Sequence, residues 1–335
     1  MRPKKGILIC NIGTPKSFAV EDVATYLREF LMDEEIINIP VFVRYPLVHW
    51  LIVPKRKEIS AHNYKSIWSD QGSPLLVNTY VLQSNLQQHF GENYVIEIGM
   101  RYGEPSISQA LRNFKSHGVK EVLALPLYPQ YARATTESSY KKLHAEIQNG
   151  LHDFTIKKIP DFYAHPKFIN ALAESIQEQI GANRVDHYLM TYHGLPESQI
   201  KRIEGCLQST TCCDQAQACE KLCYRAQCVK TSELLAKSLG LSRDQWSFSF
   251  QSRLGKTEWI KPYTEKTLEH LAKKGIKNLA VLCPSFISDC LETLEEIGVQ
   301  GADIFKKFGG ENFYLVPCLN ERADYLIHLI QEQSF

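Results

Sequence analysis

The chain of 335 residues is about twice the usual size of one domain, so it is expected to hold two similar globular units or one large α/β unit. Its composition, 44% hydrophobic and 22% charged, excludes a disordered or fibrous chain. Lys and Arg total 38 against 37 Asp and Glu, a net charge of +1 that lacks the basic excess of a general nucleic-acid binder.

Met1–Gly13 opens with basic residues and a short apolar run that Asn11 and Gly13 interrupt. It has neither a full signal core nor a small-residue cleavage site, so it reads as a first strand of a cytoplasmic protein. No apolar run reaches the roughly 18–20 residues of a membrane span. Further strand-like runs follow at Tyr94–Arg101, Glu121–Leu127, Phe154–Ile159, His187–Tyr192, Trp246–Gln251, Asn278–Cys283 and Asn312–Val316. Most are continuously apolar rather than alternating, as strands are when helices cover both faces of a parallel sheet. Between them, Ser106–His117, Lys167–Ile180 and Thr264–Lys274 space apolar residues by three and four, the pattern of covering helices.

The expected fold is therefore α/β: two Rossmann-like, doubly wound domains, each with a four-stranded parallel sheet, facing across a cleft. The expected domains are 1–163 and 164–335, the last helix packing back on the first domain. Ligands of open parallel sheets bind beyond the carboxyl ends of the strands. The residues just after each strand then matter most, among them Asn11-Ile-Gly-Thr-Pro15, Arg101-Tyr102, Tyr128-Pro-Gln-Tyr131, His193-Gly-Leu-Pro196, Gln251-Ser-Arg253 and Pro284-Ser-Phe286.

Two segments break the βα pattern. Ile36–Pro54 carries Phe42, Tyr45, Leu47, Val48, Trp50, Leu51, Ile52 and Val53, then Lys55-Arg-Lys57. It reads either as a buried helix or as an exposed apolar lip for a greasy substrate or a membrane surface, the basic triplet facing anionic groups. The other is cysteine-rich: six of the ten cysteines fall between Cys206 and Cys228. In a reducing compartment such a cluster favours metal binding over disulfides.

His193 follows a strand and precedes a Gly-x-Pro turn, a position from which an imidazole can take a proton or bind a metal, or merely cap the turn. Asp289, Glu292 and Glu296, at i, i+3 and i+7, would form one acidic stripe on an α-helix. That stripe suits proton passage or a divalent metal, or simply a solvated helix start. No dinucleotide fingerprint, phosphate loop or Gly-x-Ser-x-Gly elbow occurs, which disfavours nicotinamide, ATP and serine-hydrolase chemistry.

Together these sequences resemble the ferrochelatase family over nearly the whole chain. The resemblance rests on Asn11–Pro15, Gly72-Ser-Pro-Leu75, Met100-Arg-Tyr102, Leu127–Tyr131 with Thr135, Thr136, Ser138 and Ser139, and Tyr192–Pro196. It continues through Phe250–Arg253, Gly255, Trp259, Pro262, Phe286–Asp289 and Leu291–Leu294. It implies a lyase that inserts Fe²⁺, a substrate, into protoporphyrin IX with release of two protons, the last step of haem synthesis. His193 and Glu292 become the catalytic metal or proton ligands, with Glu296 and Asp289 as an outer path. Arg56, Tyr64, Ser73, Tyr140 and Trp259 match porphyrin-contacting positions, and the lip would hold the ring or touch a membrane. Ile12 stands where some relatives have a metal-binding Tyr, and Cys290 where some have a second His.

Some bacterial relatives carry a [2Fe–2S] cluster on an internal cysteine-rich loop, so the insert is expected to hold one, with structural zinc or a plain thiol-rich loop as alternatives. The candidate ligands are Cys206, Cys219, Cys223 and one of Cys212 and Cys213, with Cys228 assigned to the following helix Thr231–Leu239. Competing readings are a chelatase for another divalent metal or tetrapyrrole and a non-catalytic porphyrin carrier.

Overall fold

The computed structural model describes residues 4–151, 153–203, 206, 212–215, 222–253, 255 and 257–333. Within them eight strands form two four-stranded sheets, every pair parallel. The strands are β1 (Lys5–Gly13), β2 (Tyr94–Tyr102), β3 (Glu121–Pro126) and β4 (Thr155–Lys158), then β5 (His187–His193), β6 (Trp246–Gln251), β7 (Asn278–Leu282) and β8 (Asn312–Leu315). The first sheet runs β2-β1-β3-β4 and the second β6-β5-β7-β8, one topology used twice.

The chain divides into two compact units. One comprises the chain up to Tyr128, Arg133–Pro160 and Glu321 onward; the other comprises Pro129–Ala132 and Asp161–Asn320. The helix Asp324–Gln331 thus belongs to the unit of the first sheet, where the Asn85 side chain donates to the Glu321 carbonyl at 2.9 Å.

The central strands are apolar because both faces are covered: Ile7, Leu8 and Ile9 of β1 are all fully buried. The helix Ile107–Ser116 lays Ile107, Ala110, Leu111 and Phe114 on the first sheet, at the three- and four-residue spacing of one helix face. Ser106 caps it by accepting from the Gln109 N–H at 3.3 Å. Each such buried side chain contributes roughly 1.5–3 kcal/mol. The helix Thr264–Lys273 does the same for the second sheet through Leu268, Leu271 and Ala272.

In both sheets the chain leaves the first strand (β1 or β5) between neighbours that lie on opposite sides of it. That switch point is where open α/β sheets bind ligands. A matching detail holds each second strand: the Met100 N–H donates to the Pro105 carbonyl at 2.7 Å, and the Phe250 N–H to the Pro262 carbonyl at 2.8 Å. After the third strand each unit also carries a π-helix, Arg133–Glu137 in one and Leu291–Gly301 in the other.

Candidate active site

His193 is the last residue of β5, flanked by the ends of β6 and β7. The next residue must be glycine: a Cβ on Gly194 would lie 2.7 Å from the Gln251 carbonyl oxygen and 3.2 Å from Trp259. Instead the Gly194 N–H donates to that carbonyl at 2.8 Å, and Ile260 N–H donates to Leu195 O at 3.0 Å. These bonds bring Trp259 under the turn, its ring centroid 6.4 Å from that of His193, with Phe286 at the same separation. His193 Nδ1 lies 2.6 Å from the Gly194 carbonyl oxygen. A carbonyl only accepts, so Nδ1 carries the proton, and in the neutral imidazole the lone pair then lies on Nε2, where a proton or a metal can bind.

The carboxylates come from the π-helix Leu291–Gly301, and the end of β6 beside it supplies their hydrogen-bond partners. Gln251, at the end of β6, donates from Nε2 to the Glu292 carbonyl at 2.8 Å and accepts from Thr191 at 2.9 Å, tying the first turn of the π-helix to the sheet. Ser252 has φ +65°, a left-handed conformation that costs a non-glycine residue energy and that recurs at functional sites. That turn aims both its groups at Glu296: the N–H donates at 2.8 Å and the hydroxyl makes a second, short bond. Burial, reinforced by the neighbouring Glu292 and Glu295 charges, nevertheless pushes the Glu296 carboxyl up to about 7. A carboxyl that titrates there can take up and release protons at neutral pH.

The acidic stripe is corrected in one respect. Asp289 precedes the helix, since Cys290 is its extended N-cap, and i→i+5 hydrogen bonding replaces the α-helical period on which the stripe was drawn. Asp289 is 7% exposed. It accepts from Thr293 at 3.0 Å, from Asn320 Nδ2 at 2.8 Å and from the Cys318 N–H at 3.3 Å. These bonds make it a buried brace for the loop. Glu292 and Glu296, both half-buried, remain on the π-helix.

In the other unit, Ser73 is buried and accepts from Thr14 at 2.8 Å, so two residues of the strand-end motifs meet. Tyr64 is buried against Tyr26 and Trp68, and Arg56 is exposed. Tyr140 is 6% exposed within the first core, its hydroxyl donates to the Ile159 carbonyl at 3.1 Å, and Lys158 covers its ring. The same end of the sheet holds an ion-pair network the sequence reading did not contain. Arg101 pairs with the buried Asp33, which also accepts from Tyr102 at 2.8 Å and from Ser138. Burial opposes ionisation of Asp33, but the bonds from Ser138, the Glu35 N–H and Tyr102, with the Arg101 charge, hold its carboxyl below the usual range.

The segment after Pro40 is helical, as Val41–Pro46, a π-helical turn Leu47–Ile52, and Val53–Ile67. Of the two readings, exposure holds: Phe42 is 76% and Trp50 75% accessible, and Val41, Tyr45, Leu51 and Ile59 are exposed as well. Lys55 and Arg56 are exposed beside them. No helix of the described residues is long and apolar enough to cross a membrane.

Of the cysteine candidates, Cys206 and Cys223 are buried, Cys212 and Cys213 are half-buried, and Cys219 lies outside the described residues. The sulfurs of Cys212 and Cys213 are 3.9 Å apart, and Arg225 donates to Cys213 Sγ at 2.9 Å. Among the described residues no three His, Cys, Asp or Glu side chains converge as a metal-binding group. Cys228 is fully buried in the helix Tyr224–Ser238, which starts seven residues before the expected Thr231.

Two units of one topology, with a half-buried imidazole and an acidic π-helix at the switch point of the second sheet, define a class of fold shared with solved metal chelatases. SirB from Bacillus subtilis with Fe³⁺ superposes with a TM-score of 0.55 at 12% identity, over 98% of this chain and 95% of that one. The sirohydrochlorin chelatase SirB of Bacillus subtilis subspecies spizizenii, in complex with cobalt, gives the same score at 9% identity, over 98% and 94%. The sequence narrows this further, because the ferrochelatase family model matches residues 4–333. A ferrochelatase of Bdellovibrio bacteriovorus is 47% identical over 324 residues, 96% of each chain. One from Legionella pneumophila strain Paris is 45% identical over 336 residues, 99% of each. The chain belongs to the ferrochelatase family.

Proposed function

We propose that the chain inserts ferrous iron into protoporphyrin in haem biosynthesis and that His193 and Glu292, with Glu296 behind them, perform the insertion. Iron and the porphyrin are both substrates: as Fe²⁺ enters the ring, two pyrrole protons leave. The observation that carries the assignment of residues is the His193 tautomer, which leaves an Nε2 lone pair at the switch point of the second sheet. A neutral imidazole can accept a pyrrole proton or hold iron weakly enough to release it. The Glu292 carboxylate supplies a second oxygen donor, and Glu296, titrating to about 7, relays the proton outward. Trp259, packed beside His193, gives that end of the second sheet an aromatic wall. His193→Ala is expected to reduce iron insertion to background while porphyrin binding, followed by fluorescence quenching, persists. Normal turnover in that variant defeats the assignment.

We further infer that the cysteine insert holds a [2Fe–2S] cluster. The supporting features are the thiols themselves and Arg225, whose charge against Cys213 complements the thiolates a cluster requires. Protein purified without oxygen should be brown, with thiolate-to-iron absorption and about two iron and two sulfide per chain. A colourless preparation with one zinc per chain reverses the inference in favour of a structural zinc.

A further inference from the structure

The helix Tyr224–Ser238 begins directly after Cys223. Tyr224 is buried, 6% exposed, and its hydroxyl donates to the main-chain carbonyl of His193 at 2.8 Å. On the other side of the same residue, the His193 N–H donates to Ser285 Oγ at 3.3 Å. Ser285 and Tyr224 are themselves hydrogen-bonding partners. The Ser285 hydroxyl, having accepted from His193, donates to the Tyr224 oxygen, and the Tyr224 proton goes to His193, with the Cys228 thiol a further partner of the same hydroxyl. Three residues from three separate elements, the end of β5, the turn after β7 and the first turn of a helix, thus close a ring around the two peptide groups that flank the His193 Cα.

This arrangement differs from ordinary strand termination. Tyr188–His193 pair in register with β6, but the β7 pairing stops at Met190, so on that side the last residues of β5 lack a ladder partner. Side chains take over there. A buried carbonyl or N–H left unpaired is strongly disfavoured, and each has only one arrangement in which the ring closes. The residue so restrained is the one whose Nδ1 must stay on the Gly194 carbonyl for Nε2 to face the substrate.

We propose that Tyr224, with Ser285, is a positioning residue for His193: it fixes the peptide from which the imidazole projects and takes no part in the chemistry. This rests on the role given to His193 above. The control is on the same helix. Ser232 is fully buried, bonds to the Tyr192 hydroxyl at 2.7 Å and donates to the Cys228 carbonyl at 3.0 Å, so its loss disturbs the helix without touching His193.

Tyr224→Phe is expected to lower kcat for iron insertion about tenfold with KM for porphyrin within about twofold, since small misplacements of reacting groups cost rate more than binding. Ser285→Ala should act in the same direction, about threefold, and serves alone if Tyr224→Phe does not fold. Ser232→Ala should lower the thermal midpoint and leave kcat unchanged. A readout separate from activity is the ¹⁵N spectrum of histidine-labelled protein without substrate, with the His193 resonance assigned by its disappearance in His193→Gln. Wild type should show one tautomer, protonated at Nδ1, and Tyr224→Phe a mixture. If Tyr224→Phe matches Ser232→Ala in kcat and leaves the His193 resonance unmoved, Tyr224 is only structural. An active His193→Ala variant, by contrast, removes the functional reading and leaves the spectrum to judge the restraint alone.

Discussion

The two sheets share strand order, the hydrogen bond that anchors their second strand to a following proline, and a π-helix after their third strand, yet their carboxyl ends do opposite things with charge. In the first, the acids are matched. Asp33 has Arg101, and Glu35 has Arg133 at 2.9 Å and Lys141. Both carboxyls are held below their ordinary range: Glu35 chiefly by the Arg133 bond, against burial, and Asp33 against a larger burial effect. In the second, the half-buried Glu296 sits beside Glu292 and Glu295 and, among the described residues, accepts from the Ser252 N–H and hydroxyl; burial with the two neighbouring charges raises its carboxyl. A buried acid with a cation stays ionised and holds structure; one without a cation exchanges protons near neutrality. A duplicated scaffold therefore supports two roles, and the division is set by where the basic side chains lie.

The strongest way to break this comparison is to strip the first end of its cation. Arg101→Met leaves Asp33 buried and unmatched, which is expected to cost about 3 kcal/mol of stability near pH 7. The native pKa of Asp33 lies below its unfolded value, so the stability it contributes is present above the ordinary carboxylate pKa and fades as pH falls through the lowered one. Urea unfolding at pH 7 and pH 3 checks this: the gap between wild type and variant should narrow in acid, and an equal gap at both contradicts the matched-charge account.

A smaller effect sharpens the other side. Glu296→Gln should lower the insertion rate about a hundredfold at pH 8, the low end of what one positioned proton-transfer group contributes. Its stability signature has the reverse sign to that of Asp33. Native Glu296 keeps its proton to about pH 7 while the unfolded chain releases it near 4.5, so wild-type stability declines as pH rises across that interval. The Gln variant lacks the decline and should gain on wild type between pH 5 and pH 8 in the same urea experiment. Parallel curves would mean that Glu296 is ionised throughout.

How far the chain could be read in advance follows from what each feature depends on. The strands were legible because burial on both faces demands unbroken apolar runs, and β3 and β7 begin where their runs do. His193 and the strand-end motifs were legible because topology places them. Asp289 was misplaced because a 3.6-residue period was assumed where the backbone adopts i→i+5 bonding, which leaves no mark in composition. Tyr140 was carried over from relatives, while its own surroundings, a hydroxyl bonded to a core carbonyl, emerge only when distant segments meet. The hydroxyls that orient the site, Ser252, Ser285 and Tyr224, are too common as residue types to signal a role. Two of them did stand inside motifs selected for their position after a strand.

The succession Cys223, Tyr224, Arg225 has a consequence for how such a chain can diverge. On one side of it a substitution acts on the thiols, Cys223 being buried. One residue on, at Tyr224, a substitution is felt at the imidazole through the hydroxyl on the His193 carbonyl. Adjacent positions thus answer to different selective demands.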